Sequence, residues 1–222
     1  MRSLFLAAAA VLLLGAAPPQ DWRTVTGIAP TGGFTVGNPK AKVQLVEYLS
    51  YTCSHCGHFV AESRAALHDG LVRQGAVRVE TRSAARDPYD LAAWTLARCG
   101  GPARFARLNA AIFAAQEAWI KQGEAYAVAN TATLDKLPQR ARLALLVARS
   151  GLGAIGARAG MTPAALKACL ANDVHMNAVL KMTQAAFARI PGTPGFEING
   201  QVAQNVASWD ALEPRLRAAG AR

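Results

Sequence analysis

Cys53-Ser54-His55-Cys56 follows directly on the apolar run Lys42-Val43-Gln44-Leu45-Val46-Glu47-Tyr48-Leu49, and that pairing constrains the fold more than any other feature of the chain. A strand that runs into Cys-x-x-Cys and there opens a helix places the first cysteine at a helix N-terminus. Unpaired backbone N–H groups and the positive end of the macrodipole favour a thiolate at that point. The second cysteine lies three residues on, on the same helical face, within disulfide reach of the first. Such a pair is a reversible two-electron switch. Cys-x-x-Cys also begins many zinc sites, so the rest of the chain has to discriminate.

Residues 1–17 read as a secretory signal, with Arg2 as a positive start, Leu4 to Leu14 as the apolar stretch and Gly15-Ala16-Ala17 as a small-residue end. The apolar stretch is too short to span a bilayer as a helix. Export implies an oxidising compartment for the four cysteines. Of the three pairings possible, spacing favours Cys53 with Cys56 and Cys99 with Cys169. With 52% hydrophobic and 17% charged residues, the chain can build a sizeable core and is unlike a disordered one. The net charge of +10 comes from scattered arginines, with no concentrated basic patch. It reads as a solvated surface, and no nucleic-acid partner is expected.

The order of elements suggests an α/β unit interrupted by helices. Residues 18–37, rich in Gly, Thr and Pro, read as an extended lead-in. A strand over 42–49, a helix from Cys53 to about His68 and an alternating strand over Val77–Thr81 make one βαβ unit. From Asp87-Pro88 to Arg189 the pattern turns helical, with five helices separated by glycine and proline breaks. Ile190 to Gly195 is then a turn, Phe196-Glu197-Ile198 a short strand, and Asn199-Gly200 a hairpin signal before a return strand at Val202. Ser208 caps a last helix. Residues 38–86 and 190–222 thus form one unit, and 87–189 an all-helical insertion.

The segments Tyr48 to Cys56 and Gly192-Thr193-Pro194-Gly195-Phe196-Glu197-Ile198-Asn199-Gly200, with helices between them, resemble the DsbA-like branch of the thioredoxin superfamily. The resemblance implies a thioredoxin fold with an inserted helical domain, acting on thiols and disulfides of exported proteins without a cofactor. It implies Cys53 as nucleophile, Cys56 as resolving thiol, and a cis peptide bond before Pro194 facing the cysteines. His55 stands where the family's oxidases carry histidine, and an N–H directed at the Cys53 sulfur would stabilise thiolate. Ser54 stands where proline is common. Glu47 matches a buried acid that passes protons to and from the resolving thiol. Thr193 and Pro194 would shape the client groove, because proline has no N–H and a client strand pairs with the residue before it. Cys99 and Cys169, in two helices of the insertion, would form a structural bridge.

Three functions compete at this level. The first is an exported oxidase that donates its disulfide to folding proteins and is reset by a membrane redox partner. The second is an isomerase or reductase that a partner keeps reduced; isomerases of this superfamily usually dimerise through an added domain, and the lead-in 18–37 offers none. The third is a thiol metal-binding module, for which a single Cys-x-x-Cys supplies too few ligands, so no metal is expected.

Overall fold

A computed structural model describes residues 20–222; the signal-like segment 1–17 lies outside them. Strand β3 (Val43–Leu49) is the centre of a six-stranded mixed sheet. It runs parallel to β4 (Val77–Ser83) and antiparallel to β5 (Gly195–Ile198). Burial on both faces explains its nearly unbroken apolar sequence. Leu45 and Leu49 face the main core with Val77 and Val79, while Val46 and Tyr48 pack on the other side with Ala84, Ala186 and Ile190. Strand β4 is buried at alternate positions, as its alternating sequence requires.

The lead-in is extended, but it belongs to the sheet. Strands β1 (Thr26–Ile28) and β2 (Phe34–Val36) form a hairpin, and β2 pairs antiparallel with β4. Strand β6 (Gln201–Val202) closes the opposite edge, giving the order β1-β2-β4-β3-β5-β6. Its turn is Asn199-Gly200, with φ of 51° and 84°. Both residues lie in the left-handed region that two-residue hairpin loops demand.

Helix α1 (Ser54–Ser63) continues as a π-helical segment, Arg64–Val72, which carries the chain four residues past the expected end near His68. The insertion holds eight helices where the periodicity shows five: α2 (Pro88–Cys99), α3 (Pro102–Ala114), α4 (Gln116–Ala129), α5 (Thr131–Leu134), α6 (Gln139–Arg149), α7 (Leu152–Arg158), α8 (Pro163–Leu170) and α9 (Asp173–Phe187). Side chains of Asp87, Thr162 and Asn172 cap α2, α8 and α9 by accepting from first-turn N–H groups. The last helix, α10 (Trp209–Ala218), is capped by Ser208 and buries Leu212 and Leu216.

Sheet and insertion share one core. Phe34 of β2 stacks on Phe105 of α3 with ring centroids 4.0 Å apart, and Trp94 of α2 lies wholly buried beside them. Truncating such a tryptophan to alanine costs about 3–5 kcal/mol. A disulfide joins Cys99, at the end of α2, to Cys169 in α8, with Cα atoms 5.8 Å apart. Among the described residues no helix is long and apolar enough to cross a membrane.

Candidate active site

Cys53 is the N-cap residue of α1. Its backbone is extended (φ −89°, ψ 116°), and its carbonyl accepts the first helical hydrogen bond, from Gly57 N–H at 3.1 Å. Both cysteines are free thiols; Cys53 is 4% exposed and Cys56 fully buried. The two thiols differ sharply in acidity. Cys53 is lowered from its ordinary 9.0 to about 4, first by a hydrogen bond from the Cys56 thiol, then against burial by Thr193, the Cys56 backbone N–H and the charge of Arg86. Cys56 is pushed far above the usual thiol range by burial and by donating to Cys53. One sulfur is therefore a stable anion near neutral pH, and its neighbour holds its proton.

The turn after α9 supplies the facing wall. The Thr193-Pro194 peptide bond is cis, and the Thr193 carbonyl lies 3.3 Å from the Cys53 sulfur, which donates to it as a thiol. The Thr193 hydroxyl is buried without a hydrogen-bond partner among the described residues. Glu47 lies on β3, aligned with Thr81 of β4 and Phe196 of β5, and is 2% exposed. One carboxyl oxygen accepts from the Thr81 hydroxyl at 3.4 Å, and the other has no partner. Burial raises its pKa from 4.5 to about 8, so the acid holds its proton at neutral pH. His55 and Ser54 are exposed. No hydrogen bond among those described joins His55 to Cys53; the cationic side chain acting on the thiolate is Arg86.

Arg86 was not legible as a site residue, and neither were the insertion residues that hold the loop leading into Cys53. Its Nε donates to the Ser50 hydroxyl at 3.0 Å. Asp90 of α2, fully buried, accepts from Tyr51 N–H at 2.8 Å and from Arg86 N–H at 3.0 Å. Burial raises its pKa from 3.8 to about 7. Asp87 accepts from the Thr52 hydroxyl at 2.5 Å while capping α2. Gln116, the first residue of α4, donates to the carbonyls of Tyr51 and Cys53. An aspartate within the apolar run of α2 was the one available signal; Gln116 had none.

A groove of about 790 Å³ opens between α1, α3 and β2, lined by Gly57, Val60, Phe105, Phe113 and Arg64 among others, and it includes neither cysteine. Among the described residues no group of three or more His, Cys, Asp or Glu side chains is gathered as a metal-ligand set.

A family model described as Thioredoxin matches residues 30–217. The structure superposes on a crystal structure of a protein-disulfide isomerase from Novosphingobium aromaticivorans with a TM-score of 0.76 and 31% identity, covering 83% of this chain and 95% of that one. It superposes on Wolbachia pipientis α-DsbA1 with a TM-score of 0.65, covering 86% of this chain and 92% of that one; at 20% identity this is a likeness of fold. A Rickettsia conorii protein named among the protein-disulfide oxidoreductases is 30% identical over 75% of this chain and 53% of its own length. A Rickettsia bellii protein named likewise is 27% identical over 78% of this chain and 59% of its own length. The chain thus spans little more than half the length of these relatives. It belongs to the thioredoxin family.

Proposed function

We propose that this chain is an exported thiol:disulfide oxidase that donates a Cys53–Cys56 disulfide to cysteine pairs of proteins folding outside the cytoplasm. The observation that carries the reading is the asymmetry of the two thiols, with Cys53 lowered to about 4 and Cys56 pushed far up. A client thiolate attacks the Cys53 sulfur; the Cys53–Cys56 bond breaks, and the electron pair leaves on Cys56, which takes up a proton. The client's second thiolate then attacks its own half of the mixed disulfide, and Cys53 departs as thiolate. The client loses two electrons and the cysteine pair gains them. A good leaving group at Cys53 drives the second step. Glu47, protonated at neutral pH, is the group suited to supply the proton to Cys56. Thr193 and Pro194 would seat the client strand beside the sulfurs. A membrane redox partner would accept the electrons and restore the disulfide.

Cys56→Ser tests the assignment: a mixed disulfide formed when its Cys53 thiolate attacks a client disulfide, expelling one client thiolate, should persist and be captured because Cys56 is absent to attack the Cys53–client bond, whereas Cys53→Ser should capture none. Equal capture by both would mean the nucleophile is misassigned. The likeness to a protein named a disulfide isomerase favours a second reading, in which a partner keeps Cys53 and Cys56 reduced. Thiol trapping in the exporting cell separates the two: an oxidised pair supports the oxidase, and a reduced pair together with efficient unscrambling supports the isomerase.

A further inference from the structure

The catalytic loop is gripped from the insertion on three sides at one residue. The Tyr51 ring is buried between Trp94 of α2 and Phe113 of α3, with centroids 4.7 Å from each. Its hydroxyl donates to Asn109 of α3 at 2.8 Å. Its N–H is held by Asp90, as described above. Its carbonyl accepts from the Gln116 amide at 2.8 Å, and the same nitrogen donates to the Cys53 carbonyl at 2.9 Å. Gln116 therefore bridges the residues on either side of Thr52, and the carbonyl it holds is the one that starts α1.

We propose that Gln116 is a positioning residue for the Cys53 nucleophile, locking the loop Tyr51–Cys53 so that the first turn of α1 stays aimed at the sulfur. The thiolate draws on donors at Cys56, one of them a backbone N–H of that turn. A thiol needs those donors far less than a thiolate does, so a lock on their aim favours the anion over the thiol. Gly57 belongs to the same device. A Cβ there would sit 2.6 Å from the Gln116 side-chain oxygen, so any larger residue pushes the amide from its place across the first turn. The helical insertion thereby acts on the redox chemistry as well as on packing. The inference rests on Cys53 being the nucleophile.

The test is thiolate absorbance against pH for the reduced full chain, with the rate of oxidation of a reduced test dithiol alongside. Gln116→Leu keeps the bulk and removes the donor; Gly57→Ala keeps the donor and displaces it. Each should raise the Cys53 titration midpoint by about one unit, a roughly tenfold loss of thiolate relative to thiol, as expected for two ordinary hydrogen bonds. The double variant should shift no further than either single one, because both act on one contact. If Gln116→Leu does not fold, Gly57→Ala carries the comparison alone. Lower thermal stability with an unmoved titration would overturn the proposal and leave Gln116 a simple tie between domains. Additive shifts in the double variant would also overturn it, since Gly57 would then act separately. A wild-type Cys53 that titrates near 8.5 would instead sink the nucleophile assignment beneath it.

Discussion

Replacing Glu47 by glutamine should uncouple stability from pH at the centre of the sheet. Glutamine keeps the shape and the hydrogen-bonding capacity of a protonated carboxyl and cannot ionise. In the folded chain the Glu47 acid holds its proton to about pH 8, against an ordinary 4.5, because burial strips a carboxylate of water and the Thr81 hydroxyl, the one partner of its two oxygens, offsets little of that. An unfolded chain gives the proton up first. The folded-state advantage of this group is therefore complete below about 4.5 and is lost as the pH rises through about 8. At about 1.4 kcal/mol per unit, that interval caps the penalty near 5 kcal/mol. Relaxation around a buried charge trims it, leaving about 2–4 kcal/mol to be seen between pH 5 and pH 9. Neither cysteine contributes to the shift, so the measurement can be made on oxidised protein. Denaturant unfolding of wild type and Glu47→Gln at the two pH values gives the answer. The variant should gain on wild type by that amount at the higher pH. A difference that changes by less than about 1 kcal/mol would show that Glu47 ionises as an ordinary glutamate, and would remove it as the proton source for Cys56.

Further outcomes follow from the same geometry. The midpoint potential of the Cys53–Cys56 couple should fall by about 30 mV per pH unit between pH 5 and pH 8, because only Cys56 takes up a proton on reduction; a slope near 59 mV would mean that Cys53 is protonated as well. Arg86→Met should raise the Cys53 titration midpoint, since Arg86 is the cation acting on it; a larger rise in His55→Ala would restore the histidine to the leading role. Cys99→Ser should lower stability by roughly 4 kcal/mol on the loop-entropy account of a bridge spanning 70 positions, with oxidation of a test dithiol kept; lost activity at full stability would bring the second pair into the chemistry. Asp90→Asn should flatten the pH dependence of stability between about pH 4 and pH 7, where the folded carboxyl holds a proton that the unfolded one has released; an unchanged profile would mean the carboxylate is ionised in the fold.

The features legible in the sequence were those with local causes. The strand into Cys-x-x-Cys, the Asn199-Gly200 turn and the caps at Asp87, Thr162 and Ser208 each carry their own chemistry within a few residues. Strands β1 and β2 were read as a lead-in because three-residue strands among glycines have no periodicity; pairing with β4 is what orders them. Helix α4 went unread because it buries only Trp119 and Gly123 and has no apolar stripe. Helix α7 looked like a turn, yet its glycine at 156 lies where a Cβ would come within 3.0 Å of Leu96, so the residue that weakens the helix locally is what lets it pack. The loop-holding roles of Asp90 and Gln116 join residues 39 and 65 positions from Tyr51. No spacing rule reaches across that distance.

The partner strand on one side of β3 arrives very late in the chain: Tyr48 and Glu197, hydrogen-bonded across the sheet, lie 149 positions apart. During synthesis the cysteines emerge well before Thr193 and Pro194. High contact order of this kind slows folding, because the entropy of closing a long loop precedes the reward of pairing. In that interval the β5-facing edge of β3 is an open, apolar template for a foreign strand. The helices of the insertion, whose backbone hydrogen bonds are local, can form in the meantime and bring residues 190–202 back to that edge. A nascent chain stalled before Ile190 should therefore present a reactive thiol pair beside an unpaired strand, the combination most prone to cross-linked aggregates. The molecule's own maturation would then rely on shielding until residues 190–202 are through.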